Sequence, residues 1–355
     1  MTENPSSEPH SPSMRYARQI RFAPIGSQGQ QAISARSAVI VGMGALGSII
    51  AQHLVRAGIG RLRIIDRDIV EWSNLQRQVL YMEEDAAQML PKAEAAAIRL
   101  HAANSLPVIE PIVTDLVPHH AEELLTSTDL IIDGTDNFST RYLLNEISVK
   151  YDIPWIYGGA VGGSGMTMTI LPGETPCFRC LFPSPPAGGT TDTCETAGVI
   201  SPIIDIIGSL QAAEALKWLS GNRQAMNPAL LQADVWNNRW LQVRMDQSRR
   251  ADCPVCARRE YEWIGDHNVH APAAAALCGR NTIQITPDKP MQISLETLAN
   301  RLAPAGHITV NRFLLRIQLA QSELSLVVFP DGRALVQGTD QAHEAKRLYT
   351  QLLGQ

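Results

Sequence analysis

The chain lacks the apolar core of a signal peptide. Its first 13 residues are rich in Pro, Ser, Glu and His, and read as a disordered tail on a cytoplasmic protein. It also lacks an excess of positive charge. With 30 Lys and Arg against 35 Asp and Glu, the formal charge is −5, which excludes a phosphate-backbone binder and leaves nucleic acid off the list of expected partners. Cysteine is scarce, 6 in 355 residues, and without a secretory signal it does not form a disulfide framework. The most apolar run, Pro202 to Leu219, is interrupted by Asp205, Gln211, Glu214 and Lys217, so it cannot span a membrane. The hydrophobic fraction of 45% is ordinary for a globular chain, and the length suggests two or three domains.

A glycine turn is the first positive signal. Gly42-Met43-Gly44-Ala45-Leu46-Gly47 follows the apolar strand Ala38 to Val41 and opens a helical run from Ala45 to Ala57. In that arrangement the first N–H groups of the helix point at a bound anion. A second strand, Leu62 to Ile65, delivers Asp66 about 20 residues beyond the glycines, where an acidic side chain bonds ribose hydroxyls. This much describes any Rossmann nucleotide site, an NAD-dependent oxidoreductase or a non-catalytic nucleotide-binding scaffold included.

The next residues favour a triphosphate. Asn74, Arg77 and Lys92 supply an amide and two cations, more positive charge than a pyrophosphate on a helix terminus requires. Asp136 follows the strand Leu130 to Ile132, at the carboxyl end where open α/β sheets bind ligands. A carboxylate facing phosphates needs a divalent cation between them, and Mg²⁺ favours one or two carboxylates plus phosphate oxygens. The ligand inferred is Mg·ATP.

Four cysteines form two Cys-x-x-Cys pairs, Cys177 with Cys180 and Cys253 with Cys256. Together they can supply the four thiolates of a closed tetrahedral zinc site. The interval between the pairs exceeds ribbon spacing, so the metal would staple distant segments. The competing reading is a pair of redox dithiols. Cys194 stands apart, after a stretch from Pro183 to Thr193 dense in Pro, Gly, Thr and Ser.

In order, the motifs are GxGxxG, Asp66-x-Asp68, Ser73-Asn74-Leu75-Gln76-Arg77-Gln78, Lys92, Gly134-Thr135-Asp136-Asn137-Phe138-x-x-Arg141, CFRC, DTCETAG and CPVC. This set resembles the ubiquitin-activating superfamily, specifically its bacterial ThiF and MoeB members, from about Arg15 to Arg259. The resemblance implies an ATP-dependent adenylyltransferase acting on the C-terminal Gly-Gly of a ubiquitin-like sulfur carrier, in thiamine or molybdopterin synthesis. It assigns Gly42, Gly44, Ala45, Gly47, Ser73 and Asn137 to the nucleotide, Asp66 to the ribose, Asn74, Arg77 and Lys92 to the phosphates, and Asp136 to Mg²⁺. Arg18 would reach the γ-phosphate of the partner subunit's ATP, which implies a homodimer. Cys194 would capture the activated carrier or pass sulfur to it, with a sulfur-donating enzyme as a further partner. Ala45 departs from the glycine common there.

The expected fold is α/β: a Rossmann-like nucleotide-binding fold (14–264) with a zinc-stapled second half, a linker (265–276), and a small C-terminal α+β domain (277–355). Within the first domain, Pro202 to Leu219 reads as a helix with Ser201 as N-cap and Gly221 beyond its end. Its apolar residues run nearly all round, as in a helix covered on every side or one at a dimer interface. In the last domain the apolar period predicts strands near Thr282 to Thr286, Ile308 to Ile317 and Leu324 to Phe329, then a turn at Pro330-Asp331-Gly332 and a short strand to Gln337. Helices are expected near Leu295 to Leu302 and from Gln341 to Leu353. No catalytic constellation is legible there.

Overall fold

The computed structural model describes residues 12–185, 196–265, 274–277, 281–287, 291–320 and 322–354. Cys194 and the tail up to residue 11 lie outside them. The last two residues of the expected tail are already helical, in α1 (Pro12–Arg15). The chain divides into two compact units.

The first unit continues with α2 (Ala17–Ile20), α3 (Gly26–Ala35), β1 (Ser37–Val41), α4 (Ala45–Ala57), β2 (Arg61–Ile65), α5 (Glu83–Ala87), α6 (Lys92–Ala103), β3 (Val108–Ile112), α7 (Pro118–Leu125), β4 (Ile131–Asp133), α8 (Phe138–Tyr151) and β5 (Trp155–Val161). There follow β6 (Ser164–Ile170), α9 (Phe178–Leu181), α10 (Ser201–Leu219), β7 (Ala229–Asp234) and β8 (Arg239–Arg244). The strands make one sheet in the order β3-β2-β1-β4-β5-β6-β7-β8. Along that order, β3 through β5 run parallel, and β5 through β8 antiparallel. The order reverses direction between β1 and β4, which opens a crevice at their carboxyl ends.

The period of two explains why β1 is apolar throughout. Ala38 and Ile40 enter a core shared with α3, α4, α6 and α10, whereas Val39 and Val41 enter a second core under α7 and α8. A strand covered on both faces needs no polar side. Helix α4 ends at Gly58, whose φ of +83° suits glycine in the left-handed region.

Helix α10 departs from expectation at its start. Ser201 is its first helical residue, Ile200 flanks it, and no side chain caps the end. Gly221, with φ of +85°, lies just past the other end as expected. The helix is not covered all round: Pro202, Asp205, Ser209 and Ala213 are exposed at spacings of three and four residues, a narrow solvent-facing stripe. To one side of that stripe, Gly208 permits a close crossing, since a Cβ there would stand 2.8 Å from Cβ of Ile49 on α4.

The second unit is an antiparallel sheet in the order β11-β12-β13-β14-β10-β9, made of β9 (Ala274–Leu277), β10 (Thr282–Ile285), β11 (Gly306–Val310), β12 (Leu315–Leu319), β13 (Ser325–Val328) and β14 (Ala334–Gln337). Helices α11 (Leu295–Leu302) and α12 (Ala342–Leu353) pack on its core of Ile283, Leu315, Ile317, Leu326, Val328 and Val336. Leu315 and Ile317, two residues apart on β12, share the face turned to this core.

Two expectations are corrected here. The last residues of the stretch read as linker, 274–276, belong to β9, which pairs with β10. The single strand expected near Ile308 to Ile317 is a hairpin of β11 and β12, turned where the Asn311 carboxamide accepts the N–H groups of Phe313 and Leu314. An Asx turn of this kind needs neither Gly nor Pro, so the apolar period runs through it without a visible break. Among the described residues no helix is long and apolar enough to cross a membrane.

The α4–α10 crossing sets two effects against each other in Gly208→Ala. Helix propensity favours alanine by about 1 kcal/mol, and overpacking opposes it by about 1–3 kcal/mol. The 2.8 Å contact decides for the second, so urea unfolding should show a net loss of stability. A gain would mean that the two helices separate without cost.

Candidate active site

The three glycines of the first turn have different physical reasons. Gly42 has φ of +90°, and a Cβ there would stand 2.7 Å from the Gly134 carbonyl. At Gly47 a Cβ would stand 2.0 Å from the Gly42 oxygen. Backbone packing therefore requires both. Gly44, which flanks the start of α4, has φ of −72° and would place a Cβ no nearer than 3.9 Å to any neighbour, the Gln78 amide nitrogen. Neither a positive φ nor packing among the described residues demands glycine at that position, and its missing side chain leaves a cradle at the helix N-terminus. Ala45 is the first residue of α4 and half-buried against the core.

Asp66 follows β2 and turns its carboxylate inward. Its oxygens accept the N–H groups of Met43 at 2.6 Å and Asp68 at 2.7 Å, tying the acidic residue to the glycine turn. Burial pushes its pKa up, against the pull of Lys92. Lys92, at the start of α6, is buried, with Nζ 3.1 Å from the Asp68 carboxylate. Arg67 lies on the other side of Asp68 and pairs with Asp115 at 2.8 Å. The Tyr81 hydroxyl donates to the Met43 carbonyl at 2.6 Å, which holds the glycine turn from a further side.

The run from Ser73 to Gln78 is a short turn closed on itself. Asn74 is buried and accepts the Glu71 N–H. Arg77 donates to the Ser73 carbonyl at 2.9 Å. Gln78 is buried, and its Oε1 has no hydrogen-bond partner among the described residues.

Beyond β4, the Gly134–Asn137 turn rests on the first glycine turn through Gly134. Its shape is set from below. Asp133, fully buried, accepts from the Thr135 N–H and hydroxyl and pairs with Arg141 at 3.0 Å. Arg141 also donates to the carbonyls of Thr135 and Gly158. Asn137 caps α8, its side chain accepting the Ser139 N–H, and Asp136 is left exposed at the turn. The glycine turn, Asp66, Ser73 to Gln78, Lys92 and Asp136 are thus carried by connected turns at one end of the parallel strands.

Arg18 is not among them. Its neighbour Gln19 donates to the Ala57 carbonyl, and the Tyr16 ring occupies the space beside Gly58. Both mark the far end of α4, about 20 Å from Gly44 for a helix of this length. Arg18 itself is exposed.

The four paired cysteines do converge. Their sulfurs lie within 4.8 Å of one another, with Cys177 3.6 Å from Cys253 and Cys180 3.5 Å from Cys256. A tetrahedral Zn–S length of about 2.3 Å implies sulfur–sulfur edges of about 3.8 Å, so the cluster fits that ion. The Cys177 thiol holds Cys180 down to about 5, whereas burial pushes Cys256 up to about 11. Four adjacent thiolates need a divalent cation to offset their repulsion. Helix α8 fastens both arms: Asn145 accepts the Phe178 N–H, and Glu146 accepts those of Glu262, Trp263 and Ile264.

Sequence reasoning gave no role to Gln78, Tyr81, Asp133 or Arg141. Gln78 and Arg141 stood inside quoted motifs, which was the available signal. Tyr81 and Asp133 had none.

The parallel sheet, its glycine turn and the turns around it define a Rossmann-type nucleotide-binding protein with an added four-cysteine cluster. The chain belongs to the ThiF family, which matches residues 16–255. It is 42% identical over 341 residues to the sulfur carrier protein ThiS adenylyltransferase of Bacillus subtilis (strain 168), covering 96% of this chain and 99% of that protein. It is 40% identical over 247 residues to a sulfur carrier protein adenylyltransferase of Thermus thermophilus, covering 68% of this chain and 90% of that one. A crystal structure of E. coli MccB with ATP shares the fold at a TM-score of 0.59 and 22% identity, over 68% of this chain and 74% of that one.

Elemental analysis tests the cysteine cluster. Protein purified without added metal should carry zinc, and Cys177→Ser with Cys253→Ser should lose both the metal and several kcal/mol of stability, since structural zinc binding is linked to folding. Full zinc occupancy in that double variant would refute the assignment.

Proposed function

We propose that the chain is an ATP-dependent adenylyltransferase that activates the C-terminal Gly-Gly carboxylate of a ubiquitin-like sulfur carrier of the ThiS type. The observation that carries this reading is the near full-length match to the Bacillus protein, joined to a site with an open cradle at Gly44. A dehydrogenase reading leaves Asn74, Arg77, Lys92 and Asp136 without work. A scaffold reading requires no carrier.

The carrier carboxylate attacks the α-phosphorus of ATP, pyrophosphate leaves, and a mixed acyl-phosphate anhydride forms. The N-terminus of α4 receives the phosphates and Asp66 the ribose. Arg77 and Lys92 offset phosphate charge, for which Arg77 must leave the Ser73 carbonyl and Lys92 must share its bond with Asp68. Asp136 would hold Mg²⁺, which supplies neutralisation of charge on the phosphate oxygens when bound. No protein nucleophile is needed for this step. Cys194 would act afterwards on the activated carrier, and a sulfur-donating enzyme would follow.

Arg18 is assigned to the site of a second subunit, because the length of α4 separates it from Gly44 in its own chain. The exposed Trp72, Val79 and Met82 beside the site offer apolar surface for such a homodimer, and α10 adds a mixed stripe of Pro202, Asp205, Ser209 and Ala213. The C-terminal unit is assigned no catalytic residue. A linker joining it to the adenylation domain, a zinc staple in that domain and a cytoplasmic location complete the reading.

Two measurements test it. ATP–pyrophosphate exchange should appear only with Mg²⁺ and a carrier ending in Gly-Gly, and Asp136→Asn should lower it roughly 100-fold while the fold is kept. Exchange without carrier, or an unaffected variant, would defeat the reading. Separately, Arg18→Ala and Asp136→Ala should each be inactive, and mixing them should restore roughly a quarter of the sites under random subunit exchange. No recovery after verified exchange would place Arg18 elsewhere.

A further inference from the structure

The Asp66-x-Asp68 motif leaves the residue between its two aspartates open, and here it is Arg67. Asp68 stands between this arginine and Lys92. Its Oδ2 lies 3.1 Å from Nζ of Lys92, and its Oδ1 lies 3.7 Å from Nε of Arg67, so each oxygen faces a different cation. The cations differ in their surroundings, the Lys92 side chain being 3% exposed and that of Arg67 25%. Arg67 is anchored from behind, its Nη1 standing 2.8 Å from the Asp115 carboxylate. Arg67 follows β2 and Asp115 follows β3, so the pair ties the carboxyl ends of two neighbouring strands. Burial lowers the guanidinium pKa, but Asp115, Asp68 and Asp136 together outweigh burial and raise it. The charge beside Asp68 is therefore permanent.

A buried lysine leaves its carboxylate only at a cost, because the carboxylate is then stranded, here on a side chain 19% exposed. The alternating row Asp115, Arg67, Asp68, Lys92 offsets that cost. Oδ1 of Asp68 already faces Arg67 at an ion-pair distance, which a small shift shortens to a hydrogen bond. We propose that Arg67 is a positioning residue: it takes over the Asp68 carboxylate as Lys92 turns to the nucleotide phosphates, and Asp115 holds it in place to do so. Arg67 acts through Lys92 and touches no phosphate itself. The proposal rests on the adenylyltransferase reading above, in which Lys92 attends the phosphates, and adds how a lysine held by a carboxylate becomes available to them.

The test is calorimetry of the full-length protein with ATP and Mg²⁺, and with adenosine. Arg67→Met removes the charge and leaves Asp115, 26% exposed, to water. It should weaken ATP about ten-fold and leave adenosine within about two-fold of wild type, since Lys92 then stays with Asp68. Adding Asp68→Asn, which frees Lys92 from its carboxylate, should return ATP to within about three-fold of wild type. In a Lys92→Met background, Arg67→Met should change ATP binding by less than about two-fold, because the residue it acts through is gone. An ATP loss that persists in that background marks a direct attraction between Arg67 and phosphate, and overturns the proposal. So do unchanged ATP binding in Arg67→Met, failure of Asp68→Asn to restore it, and a loss of adenosine equal to that of ATP, the mark of a merely structural side chain. Wild-type protein that binds no ATP overturns the adenylyltransferase reading itself, and ATP binding untouched by Lys92→Met overturns the place of Lys92 in it; this proposal falls with either. Should Arg67→Met fail to fold, Arg67→Gln, which keeps a donor for Asp115, carries the same comparisons.

Discussion

The close approach of Gly42 and Gly134 is the constraint on which the site depends. These residues end β1 and β4, the two strands between which the sheet order reverses. A Cβ on Gly134 would stand 2.3 Å from the Gly42 oxygen, and one on Gly42 would stand 2.7 Å from the Gly134 carbonyl. Only bare backbone lets the two turns touch. Once they touch, the N-terminus of α4 and the turn bearing Asp136 border one crevice, and Asp66 is pulled in by its bond to Met43. Gly47 extends the same constraint to the first turn of α4.

Burial of charge follows from that packing. Asp133 directly under the second turn is fully buried, and burial pushes its pKa up, against Arg141. A buried carboxylate left without its partner destabilises by several kcal/mol, so the arginine is held in place by the fold, not by a ligand. Lys92 is equally buried, but its partner Asp68 retains more contact with solvent. The two pairs therefore differ in kind. Arg141 is locked by Asp133 and two carbonyls, whereas Lys92 makes one side-chain bond, to Asp68.

The parts of this arrangement legible in the sequence were those with a local signature. Strand β1, helix α4 and the position of Asp66 follow from periodicity and spacing within a short stretch. The convergence of the two cysteine pairs on one cluster was legible from their repeated Cys-x-x-Cys spacing. What stayed hidden depends on distant contacts. That Gly44 differs from Gly42 and Gly47 cannot be read from GxGxxG, because it is decided by how Gly42 packs on Gly134 and Gly47 on the Gly42 oxygen. The fixed place of Arg18 at the far end of α4 rests on Gln19 and Tyr16 reaching Ala57 and Gly58. The hairpin at Asn311 carries a single turn residue, with neither Gly nor Pro beside it, so the apolar period runs across it unbroken. Ile200 in place of Ser201 as the flanking residue of α10 shows a helix start fixed by packing instead of by a cap.

Helix α8 links the cysteine cluster to the site. It starts beside Asp136, with Asn137 as its cap, and two turns later presents Asn145 and Glu146 to the arms that carry Cys177 and Cys253. At about 1.5 Å per residue this is roughly 12 Å, too far for the cluster to touch Asp136. It is near enough to fix the helix. Glu146 gathers three N–H groups of the segment after Cys256, which offset the burial that pushes its carboxyl up to about 7. A metal joining the two arms through four sulfurs would relieve α8 of holding them alone. Placed away from Asp136, it would act there only through the rigidity of α8, whose cap residue Asn137 adjoins Asp136.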